Sequence, residues 1–137
     1  MVRPTAALVL ALAAACAGAA CGDDPVTAPT PEAPVEVTES FSGTLTINGA
    51  RTHPFAVQRA GTVTATLGTL APDSAAVIGL SLGTWNGATC AVLLANDAAT
   101  SSTSVVGTAS VGNFCVRVYD VGRLDAPADY SISVRHF

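Results

Sequence analysis

The chain has no lysine, and its six basic residues, all arginine, are scattered singly. Nucleic-acid binding needs clustered positive charge to neutralise phosphates, so that partner class is excluded, as is a basic membrane-surface patch. Aromatic residues are only 5% of the sequence. Large core-forming side chains are therefore few, and any hydrophobic core is modest. Histidine occurs twice, at His53 and His136, and neither stands near Cys90 or Cys115 in a close metal-ligand spacing, which argues against a metal centre. The one long apolar run, Ala6 to Ala15, is too short for a spanning helix. Beyond it no segment repeats apolar residues with helical period, which turns the reading toward strands.

What is present begins with an export signal. Arg3 supplies a positive start, Leu8, Val9, Leu10 and Leu12 an apolar centre, and small residues then lead to Cys16 and Cys21. A lipoprotein signal needs small side chains just before the cysteine that receives the lipid. Both sites meet this loosely, and plain secretory cleavage is the alternative. Cys21 is the expected lipidation site, because Gly22, Asp23, Asp24 and Pro25 after it open a polar tether whereas alanine follows Cys16. Residues 1–20 are thus read as signal, 21–39 as tether and 40–137 as the folded domain. The tether holds Pro25, Pro29, Pro31 and Pro34, five acids and no aromatic residue, so it cannot bury enough surface to order itself. At polyproline pitch it would reach about 50 Å. Its acids, Asp23, Asp24, Glu32, Glu36 and Glu39, account for the negative excess of the chain that follows the signal; in the domain five arginines face five aspartates.

Export implies an oxidising compartment, and there Cys90 and Cys115 allow one pairing only. Closing that loop would stabilise a small domain by about 3 kcal/mol. Cys115 alternates away from Phe114, Val116 and Val118, so the bond is expected outside the main core.

From Ser40 the pattern has period two. Phe41, Gly43, Leu45 and Ile47 alternate with Ser42, Thr44 and Thr46, and Asn48-Gly49 offers a hairpin turn. Phe55 and Val57 follow on a second strand, where Pro54 suggests an edge. Val63, Ala65 and Leu67 alternate with threonines; Ile78, Leu80 and Leu82 alternate with Gly79, Ser81 and Gly83; Asn86-Gly87 offers another hairpin. Cys90 to Ala95 reads as a strand apolar on both faces, Asn96 to Ser104 as a polar loop, and Val105-Val106 as a short strand. Phe114, Val116, Val118 and Tyr130, Ile132, Val134 close the series. The expectation is an all-β, antiparallel β-sandwich, jelly-roll-like, of about eight strands.

The order of these segments resembles the bacterial pre-peptidase C-terminal domain family. The likeness is carried by Phe41-Ser42-Gly43-Thr44-Leu45, Phe55-Ala56-Val57, Gly61 to Leu67, Gly112 to Val118 and Tyr130 to Val134. It implies a sandwich without catalytic residues, usually appended to secreted peptidases, with some relatives binding collagen or calcium. The chain departs from the pattern. It has no peptidase domain, Ala75, Ala76 and Val77 stand where acids are common, and a cysteine pair is added.

Three motifs invite chemistry. Gly79-Leu80-Ser81-Leu82-Gly83 matches G-x-S-x-G, with His136 downstream, but a nucleophile needs a strand-to-helix turn, and here the serine lies inside a strand alternation. A serine hydrolase is therefore the third-ranked reading. Asp120, Asp125 and Asp129 have no calcium-loop spacing and read as solvated turn acids near Arg123. Trp85, Arg117 and Tyr119 are expected to gather beside the disulfide as an aromatic and cationic cluster suited to binding, unless Trp85 simply fills the gap left by Gly79 and Gly83. No metal or cofactor is expected. The first expectation of function is a lipid-anchored, non-catalytic binding or accessory module of the bacterial cell envelope, at the outer membrane or cell surface. Its partner would be a protein or glycan of the envelope or exterior, with no nucleic acid and the membrane reached through the lipid alone. A purely structural envelope lipoprotein ranks second.

Overall fold

A computed structural model describes residues 32–137. The signal segment, Cys21 and most of the tether lie outside the described residues. Among the described residues every regular element is a strand: β1 (Val37–Leu45), β2 (Ala50–Val57), β3 (Gly61–Ala71), β4 (Ile78–Trp85), β5 (Cys90–Ala99), β6 (Ser104–Ala109), β7 (Gly112–Tyr119) and β8 (Ala128–His136). They form two four-stranded sheets in the orders β1-β8-β3-β6 and β2-β7-β4-β5, with every pairing antiparallel. The fold is the antiparallel sandwich that the alternation implies.

The pairing has a simple rule. β1 joins β8, β2 joins β7, β3 joins β6 and β4 joins β5, as in one ribbon folded back at its middle. Rolling that ribbon adds the contacts β8 to β3 and β7 to β4, which completes a jelly roll. The fold-back point is the Asn86-Gly87 turn. Gly87 takes φ +97°, and the Asn86 side-chain oxygen accepts from the Ala88 and Thr89 amides at 2.9 and 2.8 Å. Asn48-Gly49 does something else. Asn48 adopts φ +54° and the Gly49 amide donates to the Thr46 carbonyl at 2.9 Å, so a tight turn is present, but β1 and β2 belong to different sheets. The turn is an arch between layers and not the expected hairpin, because each strand finds its ladder with a partner from the far end of the chain.

Alternation fills the space between the sheets. Leu45, Val57, Val63, Ala65, Leu67, Ile78, Leu80, Val116, Val118, Ile132 and Val134 are all buried there, with Phe55 and Tyr130 the largest rings. The third strand's threonines face outward, as their period predicts. Two sequence boundaries shift. β1 opens at Val37, ahead of Ser40, because Val37, Thr38 and Glu39 pair with β8, and β5 runs on through Ala99 where a loop was expected from Asn96. β5 is a strand, but its apolar residues are not covered: Ala91 to Ala95 are exposed, and Ala99 alone reaches the core.

β5 is held by something other than the core. Cys90 is bonded to Cys115 of β7, although β4 lies between their strands. Strands that flank a third normally stand about 9.5 Å apart, twice the ladder spacing. Here the two Cα atoms are 5.9 Å apart. β5 reaches β7 by climbing over the outer face of β4 at a bulge between Leu82 and Gly83, where Gly83 opposes Val92. A Cβ on Gly83 would stand inside the Ala91 carbonyl. Only glycine lets the backbone pass so close. Cys115 is fully buried yet outside the inter-sheet cluster, as its alternation implies. We predict that Gly83→Ala lifts β5 and leaves Cys90 and Cys115 as free thiols, with a stability loss of about 2–5 kcal/mol. Alkylation of the unreduced variant, followed by mass measurement, would show both thiols labelled; an unlabelled, equally stable variant would contradict the crossing.

Candidate functional site

The outer face of the β2-β7-β4-β5 sheet carries the most organised polar cluster. β7 puts Cys115, Arg117 and Tyr119 on that face in period two, and the register sets Tyr119 opposite Gly79 and Arg117 opposite Ser81. A Cβ on Gly79 would collide with the Tyr119 ring, so the glycine lets the ring lie flat across β4. The Arg117 guanidinium stands 5.3 Å from the ring centroid, a cation–π distance. The Tyr119 hydroxyl donates a hydrogen bond to the Asp97 carboxylate from β5. Burial, and after it the hydrogen bond and negative charge of Asp97, push the phenol up to about 12, while Arg117 pulls the other way.

Beside Tyr119 the chain turns at Asp120. One carboxylate oxygen accepts from the amides of Gly122, Arg123 and Leu124 at 2.8, 2.9 and 3.2 Å, and the other accepts from the Asn48 amide at 2.8 Å. Partial burial would raise this carboxyl, but the four amide donors outweigh it and hold it below the usual carboxylate range. Asp97, Tyr119, Asp120, Val121 and Arg123 line a surface hollow of about 410 Å³. It offers a phenol, two carboxylates and a guanidinium, which suits hydrogen-bonding recognition of a polar ligand.

The three residues expected to cluster are not together. Arg117 and Tyr119 stack, whereas Trp85 lies six residues along β4 from Gly79, about 20 Å away at strand rise. Trp85 pairs with Cys90 at the hairpin tip and is partly exposed. It does not plug the glycine gap either: Tyr119 covers Gly79, and the Ala91 backbone covers Gly83. The sequence placed all three on one face correctly. What it lacked was distance along the strand, because the β4 register against β7 is fixed by partners far away in the chain.

The other motifs also separate. Ser81 is buried inside β4 with its hydroxyl 3.4 Å from the Arg117 carbonyl, and the chain continues into the hairpin, not a helix. His136 sits in the other sheet, on the inner face, 5.3 Å from Phe55 between ring centroids. The two do not form a nucleophile–base pair. Asp129 accepts from the Thr44 hydroxyl at 2.6 Å, apart from the Asp120 turn, and no three potential metal-binding side chains converge among the described residues.

Both histidines have partners that the sequence reading missed. His136 is buried and its Nε2 lies 2.9 Å from the Glu39 carboxylate, next to an Arg135–Glu36 pair at 2.6 Å. His53 stacks on Phe41 at 4.9 Å and its Nε2 lies 2.7 Å from the Tyr130 hydroxyl; burial first, and then the Arg51 charge, lowers its pKa below 6.5. A signal for both existed: His136 continues the inward series Tyr130, Ile132, Val134, and His53 precedes Phe55 and Val57 on the same face.

Known protein families and curated proteins contain no match to the chain. The site therefore stands on its own geometry.

The chain has two tyrosines, and in a Tyr130→Phe background the remaining phenol, Tyr119, is expected to ionise near 12. Its raised value means that the fold gains from the neutral phenol below the ordinary value near 10 and loses that gain as pH climbs to 12. Asp97→Asn should bring the transition down part of the way, burial being the larger cause. Ultraviolet titration checks this, and a transition near 10 in the Tyr130→Phe protein would contradict the geometry.

Proposed function

We propose that the protein is exported and lipid-anchored through Cys21, and that its sandwich serves as a non-catalytic binding or accessory module in the bacterial cell envelope. One observation carries the placement: the Cys90–Cys115 bond, which suits an oxidising compartment and fastens an edge strand that the core does not hold. The signal-like start, the small residues before Cys21 and the proline-rich tether support the same location at the outer membrane or cell surface. The resemblance to pre-peptidase C-terminal domains belongs to this proposal and rests on strand alternation alone.

Recognition is assigned to the hollow around Tyr119, with Asp97, Asp120 and Arg123 as hydrogen-bonding groups and Arg117 behind the ring. Its polar lining suits a protein or glycan surface. A second reading, a purely structural lipoprotein, is favoured by the way Tyr119 and Asp97 already satisfy each other. Arg123→Glu separates the two, since it alters the hollow without touching that pair: a lost crosslinked partner on intact cells at unchanged melting temperature supports recognition.

The anchor has its own test. The membrane-fraction protein should carry a diacylglycerol thioether on Cys21 as its first residue, and Cys21→Ser should abolish that mass and the incorporation of labelled fatty acid. A wild-type protein that starts elsewhere, or carries no lipid, would contradict the placement.

A further inference from the structure

The two ends of the sandwich differ in kind. At one end Val57 pairs with Gly112, Gly61 with Ala109, Trp85 with Cys90, and Val37 with His136. The sheets are joined there by the 58–60 and 110–111 connections, and the Gln58 and Arg59 amides both donate to the Phe137 carbonyl. This is the end at which the chain from Cys21 enters. Among the large apolar side chains that the domain leaves exposed, Leu93, Leu94, Val106 and Val111 are 65%, 42%, 57% and 65% accessible and lie in this half, as does the partly exposed Trp85, whereas Ile47 lies in the other. The bulge in β5 turns Leu93 and Leu94 together toward Val106 and Gly107 of the facing sheet. Among the described residues no aspartate lies here; Glu36 and Glu39 are each held by a basic partner, and Glu32 and Arg59 line the same surface. All five aspartates of the domain, Asp73, Asp97, Asp120, Asp125 and Asp129, belong to the opposite half, against Arg51, Arg117 and Arg123.

We propose that the tether-side end, with Trp85, Val111 and the Leu93–Leu94–Val106 edge, docks on the lipid surface that holds the anchor. The inference rests on the lipid-anchored reading above. Lipid is the occupant because position and reach agree. The covalent path to Cys21 leaves from this end. Only the eleven residues from Cys21 to Pro31 separate the anchor from the described domain, and a segment of that length spans at most about 40 Å. At such short reach the apolar end meets the bilayer at high effective concentration, so a contact too weak to recruit a free domain suffices. A partly exposed tryptophan on the same end as exposed aliphatic side chains is also the composition that settles at headgroup level. The consequence is an orientation: the Tyr119 hollow faces outward, where a partner can reach it.

Trp85 is the single tryptophan of the chain and reports on this directly. Full-length protein purified from membranes, with the lipid on Cys21 verified by mass, is reconstituted into vesicles of phosphatidylethanolamine and phosphatidylglycerol. Lipids brominated near the carbonyl end of the acyl chain should quench Trp85 more than lipids brominated near the methyl end, and Leu93→Asp with Val111→Asp should cut that quenching by about tenfold. Retained disulfide and melting temperature certify that the variant is folded. A lipidated, vesicle-bound protein whose Trp85 escapes both quenchers would overturn the docking and leave the anchor standing. Trp85 protection that grows with protein concentration in detergent alone would assign the face to a second copy and overturn it too. A chain without lipid on Cys21 would remove the reading on which the proposal rests.

Discussion

A backbone carbonyl lies where any side chain but glycine's would be, and the rest of the structure is arranged around that approach. At Gly83 the fifth strand rides over the fourth, and this brings Cys90 onto Cys115 across a strand that would ordinarily keep them apart. The crossing sits beside the Asn86-Gly87 turn, the fold-back point of the ribbon from which every other pairing is counted. The bond therefore fastens the middle of the ribbon to its returning arm. It does so where burial offers little, since Ala99 is the one residue of β5 in the inter-sheet core. Burying an aliphatic side chain is worth about 1.5–3 kcal/mol, and β5 forgoes several of these by leaving Val92, Leu93 and Leu94 in the open. A covalent link worth about 3 kcal/mol makes up part of that.

Much of the fold was legible because it follows from period two and turn chemistry. Val63-Ala65-Leu67 and Tyr130-Ile132-Val134 fall inward, the Asn86-Gly87 turn is a hairpin, and Cys90 and Cys115 find each other. What failed was long-range. Asn48-Gly49 has the chemistry of a hairpin turn, but nothing local says that β1 will prefer β8. The separation of Trp85 from Tyr119 needed the register between strands far apart in the chain. Glu36 and Glu39 looked like tether acids because charge and neighbouring prolines resemble solvated linker, whereas their partners, Arg135 and His136, lie at the other terminus. The Tyr119 hollow was half visible: Arg117 and Tyr119 share a face by spacing, but Asp97 stood in a segment read as loop.

The two halves of the domain carry different surfaces. Polar groups with fixed partners, namely the Asp120 turn and the Tyr119–Asp97 pair, gather in the half away from the start of β1, and rigid presentation of such groups lowers the ordering cost of binding. Most of the exposed large apolar side chains, Leu93, Leu94, Val106 and Val111 among them, lie in the half where β1 begins. The glycines serve both halves, Gly79 by letting the Tyr119 ring lie flat and Gly83 by letting β5 cross.

The central claim is that β5 is kept in place by the bond across Gly83 more than by burial. Amide hydrogen exchange before and after reduction of Cys90–Cys115 tests it most directly. The account predicts that amides from Cys90 to Leu94 lose protection on reduction while those of Val116, Val118, Ile132 and Val134 remain slow. Protection in β5 that is unchanged by reduction would contradict it.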